Sequence, residues 1–329
     1  MGGSVMNNQL RMTRSKSQRS KAGLWFVGLF LPLLFSLPRA WAQPVSLILT
    51  ERAAAYEKVA QEIEAGLGSQ VRSYDLHNSR QNDEAVEGQI KNQKPSLIIA
   101  LGDKAAFMAS ERFTHIPILV GMVLELEVEN LKRPGIEGVA LQIPAQSVLT
   151  QLKLILPNLK RVGVLSSGQK YNSFRESIRS TGTGLGLQVS EMTVSEKSEI
   201  EKQLSQNLSG LDAVWLLPDP TIIDSESFLK IVSRVRESKK ALVVYSENFV
   251  KAGALFSISP DYQATGQQMV LLAKKMLARE NVKPETSYLG KFSYPIGSYS
   301  VLNLKTAQSI NLRLTEDQLR FIDRVVNGE

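Results

Sequence analysis

The sequence contains no cysteine, only two histidines, and one apolar run that approaches the length of a membrane span. Without cysteine there is no disulfide framework, no thiolate metal site and no acylated cysteine of the kind that anchors bacterial lipoproteins. His77 lies in a polar stretch and His115 precedes Ile-Pro, so neither has the spaced partner that a metal centre needs. No serine sits in a nucleophile-elbow pattern. The stretch "TGTGLG" (Thr181 to Gly186) follows a helical segment and precedes a strand-like one, the reverse of a dinucleotide loop, and reads as a helix C-terminal turn. These absences argue against an enzyme and against a bound metal or cofactor.

Acidic residues are missing from the first 42 positions, which hold Arg11, Arg14, Lys16, Arg19, Lys21 and Arg39. The net charge of +7 is therefore mostly a property of the front, and the rest of the chain is nearly balanced. That balance removes the argument for a nucleic-acid partner. After Lys21 comes "AGLWFVGLFLPLLFSL", interrupted by Pro32, and then "PRAWA" with small residues at Ala40 and Ala42. This is the layout of a signal peptide over residues 1–42, cleaved between Ala42 and Gln43, which places the mature chain in the periplasm. An uncleaved anchor is the alternative, disfavoured because the run falls short of the roughly 20 apolar residues a span requires. No second run approaches spanning length, which argues against a multi-pass channel or permease.

What remains exceeds one simple core, so two lobes are expected. Strand-like and helix-like segments alternate: "VSLILT", a helix with apolar Tyr56, Val59, Ala60, Ile63 and Leu67, then "SLIIAL", "DKAAFMASE" and "IPILVGMV". Thr50 is placed to cap the first of these helices. A second series runs through "IEGVALQI", a helix from Ala145 to Leu156, "RVGVLSS", "LQVSEMTV", "LDAVWLLP", "KALVVYS" and "GALFSIS". Such alternation argues for an α/β fold of two doubly wound parallel-sheet lobes with a ligand cleft between them. The first lobe is expected over 43–140 with part of 255–281, the second over 141–254 with part of 282–329. Strands crossing near Ala140 and Ala254 would form the hinge. Ser198 with Glu201, and Thr315 with Gln318, read as capping boxes, the latter opening a terminal helix through "TEDQLRFIDRVV".

In open parallel sheets ligands bind beyond the carboxyl ends of the strands, so polar residues that follow aliphatic runs are the candidates. They are Gly102, Asp103 and Lys104; Ser166 and Ser167; Asp219; and Ser246, with Asn172 and Asp261 beside them. A helix starting at Asp103 would offer backbone amides to a carboxylate, or Asp103 could simply cap its own helix. Asp219 could balance a ligand ammonium or serve as an N-cap, and Asp261 has the same two readings. In the ligand reading, Asp219→Ala weakens binding and leaves folding nearly intact. Trp215 and Tyr245, inside apolar strands, read as core.

Taken together and in order, "LGDKAA", "HIPILVGMV", "IEGVALQIPAQSVLTQLKLILPNLKRVGVL", "LDAVWLLPDPTIIDSESF", "GALFSISPDYQATGQQMVLLAKKML" and "LNLKTAQSINLRL" resemble one family over nearly all of the mature chain. It is the bacterial ABC transporter substrate-binding family that includes tryptophan and tyrosine uptake receptors, with a type 1 periplasmic-binding-protein-like fold. The resemblance implies a monomeric two-lobed receptor that closes on a small ligand and delivers it to an inner-membrane ABC permease. It also implies that the loop at Gly102 to Lys104 and the loops at Ser166, Asn172 and Asp219 face the ligand. Two features depart from it: the absent lipid-anchor cysteine, and "LELEV" (Leu124 to Val128) at a cleft-edge loop. The expected solute is an amino acid or similar zwitterion. A periplasmic sensor that docks on a membrane receptor or sensor kinase is the alternative.

Overall fold

A computed structural model describes residues 43–124, 126–168, 172–280 and 287–327; the expected signal peptide lies outside them. The first βα series supplies β1 (Val45–Leu49), α1 (Ala54–Leu67), β2 (Val71–Asp75), α2 (Asp83–Gln93), β3 (Leu97–Leu101), α3 (Asp103–Arg112), β4 (Ile118–Val123) and β5 (Ile136–Ala140). The second supplies α4 (Ala145–Ile155), β6 (Arg161–Ser166), α5 (Asn172–Gly184), β7 (Gln188–Thr193), α6 (Ile200–Asn207), β8 (Ala213–Leu216), α7 (Ser225–Glu237), β9 (Ala241–Val244), α8 (Glu247–Lys251) and β10 (Phe256–Pro260). The chain then adds α9 (Tyr262–Leu277), β11 (Ser287–Tyr288), β12 (Phe292–Ser293), β13 (Ser298–Asn303), α10 (Leu304–Ser309), α11 (Glu316–Leu319) and β14 (Arg324–Val326).

Two seven-stranded sheets result, ordered β11-β12-β5-β4-β3-β1-β2 and β14-β13-β10-β9-β8-β6-β7. Pairing is parallel except at β11–β12 and β10–β13. Central strands are mostly apolar, β3 at every position, because helices cover both faces. The two-residue period then sorts them. Val45, Leu47, Leu49, Leu97, Ile99 and Leu101 join α1 and α9 in one core layer, while Ile48, Ile98 and Ala100 join α2 and α3 in the other. In the second lobe Val164, Trp215, Val243 and Ile258 lie with α4 and α5, and Leu165, Val214, Leu216 and Val244 with α6 and α7.

The chain passes between lobes three times: at 141–144, at Asp261 between β10 and α9, and at 294–297 between β12 and β13. The first follows β5, which ends at Ala140. The second does not lie at Ala254, because β10 completes the second sheet before the chain leaves it. Of 255–281, therefore, β10 adds to the second sheet and only α9 packs on the first lobe. A side chain at Gly266 would sit 2.5 Å from Glu62 Cβ, so glycine there lets α9 lie close against α1.

Three local expectations are corrected. Thr50 does not cap α1; its hydroxyl accepts the Ala105 N–H of α3 at 3.1 Å. Ser198 and Glu201 form no capping box: α6 starts at Ile200, Ser198 donates to Glu196, and Glu199 accepts the Ser195 N–H. The Thr315/Gln318 box does form, but it opens a single helical turn, after which Arg324–Val326 pairs with β13 as an edge strand.

Candidate functional site

The candidate residues follow strands whose carboxyl ends the crossings join. At Gly102 φ is +90°, and a Cβ there would meet Thr50 Oγ1 at 2.6 Å and the Tyr56 hydroxyl at 2.8 Å. Only glycine permits both the backbone turn and the close approach. Asp103 is the first residue of α3, and its carboxylate accepts the Leu124 N–H at 2.9 Å. Met122, buried with φ of +58° at an irregularity in the β4–β5 register, turns the chain toward that contact. Lys104 Nζ pairs with Asp83 and donates to the Ser79 carbonyl at 2.9 Å, which ties α3 to the start of α2.

In the second lobe Ser166 ends β6 and is buried. The Ser167 N–H donates to Asp219 at 3.0 Å, and Asp219 also accepts the Thr221 N–H at 3.1 Å and the Thr221 hydroxyl at 2.5 Å. Asp219 is 0 % exposed. Burial alone would push its carboxyl up, but the bonds from Ser167 and Thr221 outweigh it and hold the group below the usual carboxylate range. Asn172 accepts from Arg175 Nη2 at 2.6 Å. Ser246 caps α8 through the Asn248 N–H, and Asp261 caps α9 through the Gln263 and Ala264 N–H groups at 2.9 and 3.1 Å.

The nine candidates thus fall into separate settings. Ser167 and Asp219 form one internal cluster, Lys104 and Asn172 are held by neighbours, and Ser246 and Asp261 border a common chamber. That chamber has a volume of about 1190 Å³, open solvent included, and its other charged lining residues are Lys58, Glu62 and Glu247.

A second cavity, of about 500 Å³ with its mouth, shares Pro260 and Tyr262 with the chamber. Among the described residues its remaining walls are Leu141, Gln142, Ile143, Val148, Phe174, Trp215, Leu217, Pro218, Tyr245 and Ile258, none of them charged. Phe174 and Trp215 meet edge to face at 6.0 Å, a geometry worth about 0.5–1.5 kcal/mol beyond burial. Burial pushes the Tyr245 and Tyr262 hydroxyls up, and Tyr56 is raised to about 12 by burial and then by Asp103, so all three are neutral at physiological pH. Trp215 is therefore a cavity wall as well as core, and Tyr245, half-buried just past β9, is a cavity wall and not core, a correction to the sequence reading. Gln142, in the first crossing, had no signal in the sequence beyond its place after an apolar run.

Among the described residues a carboxylate links the lobes across the cleft. Glu127, on the loop after β4, accepts the Ser173 N–H of α5 at 3.2 and 3.4 Å and its hydroxyl at 3.1 Å. Gln142 Nε2 holds the same loop through the Leu124 carbonyl at 2.9 Å.

Comparison with known proteins places this architecture. The chain is similar to the ABC domain in complex with L-Trp from Streptococcus pneumonia, with 22% identity over 86% of this chain and 100% of that one, and a TM-score of 0.60. It is similar to a ligand-free, open substrate binding protein with adhesive properties from Clostridium difficile, with 16% identity, 87% and 100% coverage, and a TM-score of 0.68. A leucine binding protein from Thermotoga maritima gives 15% identity, 72% and 83% coverage, and a TM-score of 0.52. At these identities the likeness shows the fold: two lobes of the periplasmic-binding-protein type. No curated protein sequence matches the chain. Among the described residues no helix is long and apolar enough to cross a membrane. The family model for ABC transporter substrate binding protein matches residues 59–326. With two parallel-dominated α/β lobes and a cavity where they join, the chain belongs to that family of solute-binding proteins, whose partners are a small molecule and a membrane permease.

Proposed function

We propose that the protein is the periplasmic receptor of an ABC-type transporter and that its solute is an amino acid or similar zwitterion with an apolar or aromatic side group. The observation that carries this reading is the uncharged aromatic cavity beside a charged chamber, the two meeting at Tyr262. The side group enters the cavity, where burial of apolar surface contributes about 25 cal/mol per Å². The charged end stays in the chamber. Both capping bonds to Asp261 end on Oδ1, so Oδ2 is the atom an ammonium meets, with Ser246 and Lys58 on the same walls.

This revises the clamp expected from the sequence. Asp219 is enclosed and fully engaged, and Lys104 belongs to an ion pair, so neither takes the head group. Asp103 already complements the α3 dipole, and a ligand carboxylate beside it would meet like charge. Gly102 instead packs closely against Thr50 and Tyr56. The ligands named for two similar structures, L-Trp and leucine, fit the cavity's chemistry. Ligand then shifts the lobes toward closure about the three crossings. Calorimetry of the chain from Gln43 onward against amino acids and sugars tests the reading. Binding of Trp, Tyr, Phe or Leu is expected, and a panel in which only sugars bind would overturn it.

A further inference from the structure

We infer that the base of the first lobe is a membrane-docking face that takes anionic phospholipid headgroups. The inference is independent of the solute. In the first sheet the parallel strands run toward the crossings, so the N-terminal ends of β1, β3 and β4 gather at the far end of the lobe, with the last turn of α9. A cavity of about 720 Å³, open solvent included, lies there. Its polar walls are Gln43, Ser96, His115 and Arg279, its apolar ones include Ile116, Met276 and Leu277, and no carboxylate lines it among the described residues. Lys94 adjoins it through Pro95, Lys274 and Lys275 precede Met276, and all three are exposed.

Several other cations of this lobe are matched: Lys91 and Arg112 with Glu87, Lys104 with Asp83, Lys132 with Glu129. Lys94, Lys274, Lys275 and Arg279 have no ion pair among the described residues, and Glu280 is the nearest acid in sequence. The dipoles of α2 and α9 favour cations at these ends, but they would favour paired ones equally. The occupant follows from where the chain enters. The Pro44 carbonyl accepts the Ser96 N–H at 2.8 Å, which fixes the point where residues 1–42 join the fold at this same face. The apolar run of that segment ends at Leu37. The stretch from Leu37 to Gln43 spans at most about 20 Å, so with the run in the membrane during export, the base of the first lobe is held within that reach of the bilayer. Cations there meet headgroup phosphates, and the apolar walls meet the carbons beneath them. The chain after residue 42 is nearly neutral overall, so the attraction belongs to this face. Each lysine or arginine near an anionic surface strengthens binding about fivefold, and salt removes the effect.

Flotation of the chain from Gln43 onward with vesicles of equal parts phosphatidylglycerol and phosphatidylcholine tests this. At low salt the protein should float with them, should stay behind with pure phosphatidylcholine, and should be released at about 0.5 M salt. Lys275→Glu with Arg279→Glu should weaken binding about tenfold or more. Lys160→Glu with Lys240→Glu makes the same charge change before β6 and β9, at the base of the second lobe, and should alter it by less than about twofold. Thermal unfolding checks that both variants are folded; if the first is not, Lys94→Glu and Lys274→Glu, each lowering binding about fivefold or more, take its place. No flotation with the anionic vesicles overturns the inference, as does an equal loss in the two double variants or none in the first. Displacement by inorganic phosphate, where chloride of the same ionic strength displaces nothing, would assign the cavity to free anions and overturn the membrane assignment too.

Discussion

The loop after β8 and the crossing after β10 look alike in sequence. Each places an aspartate just past an aliphatic strand with a proline beside it: Pro218, Asp219 and Pro220 in one case, Pro260 and Asp261 in the other. In three dimensions they differ completely. Asp219 is sealed from solvent, and its two oxygens take an amide from Ser167 and both donors of Thr221. Asp261 stands where the chain leaves the second lobe, uses one oxygen to cap α9, and borders the charged chamber. The same local signal therefore yields a structural brace in one place and a candidate ligand contact in the other. What separates them is whether the following residues fold back over the carboxylate, as Thr221 does, or carry the chain into the other lobe.

The comparison breaks most visibly at Asp219. Asp219→Ala should cost about 1–3 kcal/mol of stability in urea unfolding, because the buried Ser167 N–H and both donors of the more exposed Thr221 lose their acceptor at once. Unchanged stability with abolished binding would return Asp219 to the ligand site. The pH dependence follows from the same bonds. The folded carboxyl lies below its ordinary value, so its stabilisation is present above the unfolded pKa, near 3.9, and is lost as pH falls through the folded value. Asp219→Asn should flatten the acid limb of the stability curve below about pH 4, and an identical limb would show that the carboxylate is not braced in solution.

Asp261 should behave in the opposite way. Asp261→Asn keeps an N-cap, so stability should change by only a few tenths of a kcal/mol. Affinity for a zwitterion should fall about tenfold, while affinity for its N-acetylated form, which has no ammonium, should stay level. A loss of both affinities in proportion would mean that the substitution distorts the crossing rather than removing a charge contact.

The same contrast explains how much could be read from the sequence. Aliphatic runs and helical spacing located the central strands and most of the long helices, since both faces of each sheet are covered there, but not β2 and α2, whose segments are largely polar and half-exposed. Partnership across the fold was another matter. Thr50 caps α3, because the parallel pairing of β1 with β3 brings their ends together, and nothing local to Thr50 encodes that. The terminal segment through Arg324–Val326 has an apolar pattern compatible with a helix but lies beside the free edge of β13, where ladder hydrogen bonds prevail. Strand ends marked the right side of each sheet for a site. They could not tell Lys104, which Asp83 takes, from Tyr245, which the cavity keeps. Gln142 was invisible because nothing local to it encodes its bond to the Leu124 carbonyl or the cavity it lines.

The smallest expected effect tests whether the two lobes communicate through the loop that Gln142 holds. Glu127 reaches from the first lobe to the first turn of α5, where its charge meets the helix dipole as well as the Ser173 donors. A carboxylate in that position contributes about 0.3–1 kcal/mol, and it does so only while the lobes are together. Glu127→Ala should therefore weaken solute binding about two- to fivefold and raise the radius of gyration of the free protein in small-angle scattering, with little change in unfolding. Glu129→Ala is the control, because Glu129 pairs with Lys132 inside the same lobe. Equal effects from the two substitutions would make the Glu127 contact incidental to closure, whereas an effect confined to Glu127 would place the cleft-edge loop, with Gln142 behind it, on the route from solute to lobe position.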